Sequence, residues 1–309
     1  MSFLKGIAIF FTGLACLAGS MSAAAEETVA GSDRSMVIGY SGTVFFSVDP
    51  RDAVGLTKVW IQTVDRAVKN PVPSNVVFFR NIEELEKALK EKRVDIAVMI
   101  AQEFVLLRDH LPLAAVLSAD YGKHFYDELL LLVRNDSGIT RVEQLRGKSI
   151  RIESGQKGSL PVLWLDSYLM KRVASGSRGF FSTIGEYPKA SQVVMPLFFG
   201  QTDACLSSRD SLEIMDEMNP QVGRSLRILE TSPGFVTGVI AVRRDIRNPR
   251  RDAMLKAMRE IHNDPKGRQL LTLFRINRLV DFKAEHLLSI DRVLKEYRER
   301  VETVSRRRR

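Results

Sequence analysis

The sequence predicts an α/β chain folded as two lobes, and three observations carry that reading. Strand-like and helix-like segments alternate from end to end, the pattern of sheets layered with helices. A second complete set of such segments interrupts the first, which then resumes. Within that second set a short loop, Glu153-Ser-Gly-Gln-Lys-Gly-Ser159, leads from a strand into a helix, where α/β sheets take their ligands.

Residues 35–40 form a short apolar strand. Leu56, Val59, Trp60, Val64 and Ala67 then recur at helical spacing. Residues 76–79 read as the next strand, and Ile82, Leu85 and Leu89 stripe a helix whose other face is Glu and Lys. A buried strand at 94–100, a helix at 103–108 and a strand at 113–118 follow. The stretch 129–134 is almost wholly apolar, as expected of a strand covered on both faces. The second set starts at Val142-Glu-Gln-Leu-Arg-Gly147, a short helix closed by glycine, and continues with an alternating strand at 148–152. Ser159 can cap the next helix, Pro161 falls in its first turn, and Leu163, Trp164, Tyr168 and Leu169 mark its apolar spacing. The segment 191–199, a strand around 203–206, a helix at 210–218 and a strand at 226–229 complete the set. Residues 239–243 read as a strand returning to the first lobe, and helical stretches at 251–262, 267–274 and 284–303 finish the chain. On this reading residues 35–130 and 239–309 form lobe one and residues 131–238 form lobe two. Two crossings between lobes make a hinge, and the space between them a cleft.

Residues 1–25 read as an export signal: Lys5, an apolar run at 6–18, and small residues ending at Ala25. The run is too short to span a bilayer comfortably, so cleavage and release to the periplasm is the expectation, ahead of lipidation at Cys16, which has a glycine where such sites want Leu or Val. Cys205 is then alone, and no internal disulfide can form. The formal charge of +9 falls to +4 once Lys5 and the four terminal arginines are set aside, and no basic stripe interleaved with aromatics marks a nucleic-acid surface. The arginine run reads as a solvated helix end. His110, His124, His262 and His286 lack metal-ligand spacing, there is no phosphate-binding G-x-x-x-x-G-K-[ST], and no G-x-S-x-G elbow. The expectation is a chain that is not an enzyme, with no cofactor, no metal and no nucleic-acid partner.

The loop is the first candidate site. It aims backbone N–H groups and the positive end of a helix dipole at one spot, beside Ser154, Gly155, Lys157, Gly158 and Ser159, and such a junction holds anions. An ordinary glycine-bearing turn is the other reading. Tyr40, Ser41 and Thr43 follow the first strand, where hydroxyls can reach an anion from lobe one or simply form a surface loop. Gln102 can bond a ligand or cap the next helix. Ser207 and Ser208 follow the strand that carries Cys205; they line the site or form a turn. Cys205 itself is a small buried residue or a thiol toward a thiophilic ligand, and Asp203 is expected to hold a neighbouring N–H.

Several ordered stretches resemble a known family. Glu91-Lys-Arg-Val-Asp-Ile-Ala-Val98 is similar to its segment ahead of the first cleft loop. Tyr126-Asp-Glu-Leu-Leu-Leu-Leu-Val-Arg134 resembles its crossing strand, and Leu145-Arg-Gly-Lys-Ser-Ile150 its Leu-x-Gly-Lys segment. Gly200-Gln-Thr-Asp-Ala204, Thr231-Ser-Pro233 and Val242-Arg-Arg-Asp245 complete the set. The family is the phosphate/phosphite/phosphonate-type, PhnD-like substrate-binding proteins of ABC transporters. It implies the two-lobed type 2 periplasmic binding protein fold, a small oxyanion in an interlobe cleft, an inner-membrane permease as partner, and a monomer. A periplasmic sensor serving a histidine kinase is the alternative. The resemblance also implies that Tyr126 faces the ligand, although packing at the hinge explains it equally. Asp210 is the candidate carboxylate for an ammonium-bearing ligand. Thr237 and Gly238 stand where a second carboxylate would serve, so an aminophosphonate is not expected. The family's loop usually reads Ser-Thr-Ser-Gly; here one serine, the glycines and the cap remain.

Overall fold

The structure, a computed structural model, describes residues 35–45, 50–68, 74–122, 124–154 and 159–307. The expected export signal lies outside the described residues. The first lobe's elements are β1 (Met36–Ser41), α1 (Pro50–Ala67), β2 (Ser74–Phe79), α2 (Ile82–Lys90), β3 (Ile96–Ile100), α3 (Ala101–Arg108) and β4 (Leu113–Asp120). The second lobe holds β5 (Leu129–Arg134), β6 (Ser149–Glu153), α4 (Leu160–Val173), α5 (Ser177–Phe180), β7 (Thr183–Tyr187), α6 (Ser191–Phe198), β8 (Ala204–Ser208), α7 (Arg209–Met218), α8 (Pro220–Ser225) and β9 (Leu226–Thr231). The chain then returns with β10 (Gly238–Arg243), α9 (Pro249–Glu260), α10 (Pro265–Leu273), β11 (Arg278–Asp281) and α11 (Leu288–Arg307).

Each lobe has one mixed sheet. The first runs β11-β4-β10-β3-β1-β2 and the second β7-β6-β8-β5-β9. β1 is parallel to β2 and β3, whereas the returning β10 is antiparallel to β3 and β4. In the second sheet β6 is parallel to β7 and β8, and β5 is antiparallel to β8 and β9. Leu129 through Val133 are all buried, which explains a strand of unbroken apolar residues rather than an alternating one. The two-lobed α/β fold expected from the sequence is the fold observed.

Several details differ from the sequence reading, which did not include the short helices α5 and α8. β7 was not anticipated, because its Thr-Ile-Gly-Glu-Tyr sequence is an exposed edge strand with little apolar signal. β11, another short edge strand, pairs with β4. The segment 142–145 is a 3-10 turn, ended by Gly147 at φ +73°.

The crossings between the sheets pair with one another. Asp127 and Phe235 exchange N–H···O bonds of 2.9 and 2.8 Å, and Ser232 N–H donates to Leu129 O while Leu129 N–H donates to Ser232 Oγ, both at 2.8 Å. Gly234 is required here, since a Cβ would fall 2.6 Å from Tyr126 Cβ.

A third connection runs through α11. Its buried Ile290, Val293 and Leu294 join one apolar cluster with Phe104 and Leu107 of α3 and with Trp164, Leu165 and Leu169 of α4. Asp291 accepts from Arg108 of α3 at 2.5 Å, and Glu296 from Lys171 of α4 at 2.6 Å. α11 therefore packs on a helix of each lobe. Ile290→Ala should lower the free energy of unfolding by about 2–5 kcal/mol, the usual cost of emptying such a site, read from a urea transition. A loss below about 1 kcal/mol, the range of surface substitutions, would show that this helix is not seated in the core.

Candidate functional site

α3 and α4 meet at their N-terminal ends. Each starts where a sheet strand ends: α3 directly after β3, α4 six residues after β6. Gln102, the second residue of α3, is buried, and its Nε2 donates to Oγ of Ser159, the N-cap residue of α4, at 2.7 Å. The adjoining space measures about 20 Å³ and is bounded by Ile100, Asp127, Leu129, Leu160, Phe235 and Thr237. Roughly one water fits such a volume. Gln102 Oε1 is buried with no hydrogen-bond partner among the described residues.

Two helices, α3 and α4, begin at this space and a third, α7, is tied to its wall through Asp127; their N-terminal N–H groups are satisfied differently. At α3, Glu103 Oε2 accepts from Ile100 N–H at 3.3 Å. At α7, Ser208 Oγ accepts from Ser211 N–H at 3.1 Å and Asp127 Oδ1 from Asp210 N–H at 3.4 Å. α4 has no acidic residue in its first turn, and Ser159 makes no side-chain cap bond; its hydroxyl accepts from Gln102 instead. Among the described residues, α4 therefore starts without a side-chain acceptor. Four residues of the loop ahead of it, 155–158, lie outside the described residues, and with them the candidates Gly155, Lys157 and Gly158. Ser154, still described, donates its N–H to Tyr187 O at 3.1 Å.

In the first lobe, next to Gln102, Glu103 is a carboxylate that the sequence reading did not single out. Ser41 Oγ lies 2.8 Å and Thr43 Oγ1 2.9 Å from Glu103 Oε1, and the two hydroxyls are 2.9 Å from each other. Burial raises the Glu103 carboxyl above the ordinary glutamate range, against the lowering effect of these bonds. Tyr40 is turned away from this group into the sheet's apolar cluster, its ring stacked on Phe78 at 5.6 Å.

The second lobe repeats the hydroxyl-carboxylate arrangement. Glu153 Oε2 accepts from Ser207 Oγ at 2.5 Å and Ser208 N–H at 3.3 Å, and its Oε1 from Ser211 Oγ at 2.8 Å. Glu153 is the first residue of the loop quoted above, so its position was legible although its partners were not. Asp210 opens α7, beside Asp127. Tyr121, reached by the Thr237 hydroxyl at 3.2 Å, has its phenol raised by burial and by the fields of Asp210 and Asp127. Tyr126 is 39% exposed, with its ring edge-on to Phe125 and His286, so it serves the hinge packing while keeping an open face. Asp203 accepts from Ser149 N–H at 2.8 Å and holds the neighbouring strand, as expected. Among the described residues, no group of three His, Cys, Asp or Glu side chains could hold a metal ion.

Comparison with known proteins gives a consistent result. The family model for the periplasmic substrate-binding protein of phosphonate ABC transporters matches residues 44–287. A search of curated proteins returned no match. Among solved structures, the chain is similar to a Xanthomonas citri protein bound to chloride ion, at 17% identity and a TM-score of 0.67, over 85% of this chain and 97% of that one. It is similar to a binding protein component of an ABC phosphonate transporter from Pseudomonas aeruginosa, at 11% identity and TM-score 0.64, covering 86% and 87%. The PhnD1 structure from Prochlorococcus marinus in complex with methylphosphonate follows at 12% identity and TM-score 0.62, covering 86% and 98%. At these identities the structures establish the two-lobed fold.

Cys205 lies on β8 with no exposed surface, and burial together with the field of Glu153 raises its thiol well above the ordinary range. A chain beginning at Glu26 should therefore resist a thiol reagent such as DTNB while folded and react with one equivalent in guanidinium chloride. Prompt reaction of the native chain would contradict the burial and reopen Cys205 as a ligand group.

Proposed function

The chain belongs to the family of periplasmic substrate-binding proteins of phosphonate ABC transporters, and from that premise we propose that it captures a small oxyanion between its lobes for delivery to a membrane permease. The observation that carries this reading is the start of α4. The positive ends of two helices converge within one side-chain hydrogen bond, and only α3 meets its own carboxylate there. An anion seated on the N–H groups of α4 and the preceding loop supplies the missing acceptor.

Lys157 adds a cation from the loop, and Ser154, Gly155, Gly158 and Ser159 add backbone or hydroxyl donors. Gln102, Ser41 and Thr43 approach from the first lobe, Ser207 and Asp210 from the second. Closure around the solute excludes water and strengthens each bond to it. The chain acts as a monomer, exported by its N-terminal signal. No ligand is singled out within the phosphate, phosphite and phosphonate class.

A thermal-shift panel of phosphate, phosphite, methylphosphonate, sulfate and methanesulfonate tests the reading. At a hundredfold excess over Kd, the true class adds about 2.7 kcal/mol to the native state, roughly 4–5 °C for a chain of this size. Lys157→Ala should weaken that response without lowering the melting temperature of the unliganded protein. No response to any member of the panel would overturn the oxyanion assignment.

A further inference from the structure

A hydroxyl group has one proton to donate, and this fixes what the first-lobe wall can offer. Ser41, Thr43 and Glu103 form a closed triangle with sides of 2.8, 2.9 and 2.9 Å. Two hydroxyl protons serve three contacts. With Glu103 ionised, both protons are drawn to its Oε1, and each hydroxyl turns only lone pairs to anything docking on it. A wall of lone pairs beside a carboxylate repels a fully deprotonated oxyanion.

Resting on the oxyanion reading above, we propose that Glu103 makes capture proton-coupled: the oxyanion docks on Thr43, the half-buried corner of the triangle, as Glu103 takes one proton from solvent. The protonated carboxyl becomes a donor within the triangle, so one hydroxyl rotates its own proton outward to a ligand oxygen. No covalent bond other than O–H on Glu103 changes, and the net reaction is one anion and one proton bound together. Glu103 is a positioning residue here, acting through the two hydroxyls.

The surroundings favour this role. Glu103 is 6% exposed and Ser41 fully buried, so Thr43 is the part of the triangle that a solute reaches. The groups facing Glu103 are Ser41 from β1, Thr43 from the adjoining 3-10 turn, the Ile100 N–H at the end of β3, and the like charge of Glu83 from α2. Among the described residues no cation is paired with it. Burial already raises its carboxyl, and an arriving anion raises it further, because a second negative charge disfavours ionisation. The sign follows: affinity is highest below the carboxyl's pKa in the unliganded protein and falls as pH rises through the interval up to its pKa in the complex, by up to tenfold per pH unit for one coupled proton.

Titration calorimetry with the oxyanion giving the largest thermal shift, in buffers of different ionisation enthalpy, measures the protons taken up. The native protein should absorb up to one proton per anion within that interval, and Glu103→Gln should absorb fewer, with a flatter dependence of Kd on pH. The anion's own titration is common to both proteins and cancels in the difference. Equal uptake in native and Glu103→Gln proteins would overturn the proposal while leaving the oxyanion reading intact. If Glu103→Gln does not fold, Thr43→Val takes its place, and unchanged uptake in that variant again overturns the proposal. Failure of every oxyanion to bind strikes the reading beneath it instead.

Discussion

The N–H groups at the start of a helix have no partner inside it, and each must find an acceptor elsewhere. That requirement organises this molecule. Two helices begin at one small space, and a third is tied to its wall through Asp127. α3 uses Glu103, and α7 uses Ser208 and Asp127. α4 has its N-cap serine engaged across the cleft and no acid in its first turn. A solute with negative charge is the natural complement of that end, and the loop with Lys157 is placed in sequence directly before it.

The approach of the lobes is constrained from two sides. The crossing segments form a paired ribbon around Asp127 and Phe235, kept close by Gly234 against Tyr126. α11 packs its apolar face under both α3 and α4 and adds an ion pair to each. The two helices whose N-termini meet thus share one support. A change in their separation must be absorbed by the ribbon or by one of the contacts of α11.

Much of the architecture was legible in the sequence because it rests on local patterns. The unbroken apolar run of β5 announced burial on both faces, and Pro161 after Ser159 announced the start of α4. β7 escaped because an edge strand containing Gly185 and Glu186 shows little alternation. At the site, the hydroxyls of Ser41, Thr43 and Ser207 were legible as candidates, but their partners were not. Glu103 and Glu153 are separated from these hydroxyls by 62, 60 and 54 residues, and the parallel pairing of β1 with β3 and of β6 with β8 brings them together. Read singly, each glutamate is a charged residue near a loop. In the folded chain it decides where the hydroxyl protons point.

The central claim is that an oxyanion sits on the main chain at the start of α4. Amide chemical shifts of ¹⁵N-labelled protein, titrated with the oxyanion that stabilises it most, address this directly. The account requires the largest changes at residues 154–160, 162 and 163, with Gln102 responding across the cleft. Changes concentrated elsewhere, with these amides unmoved, would contradict it.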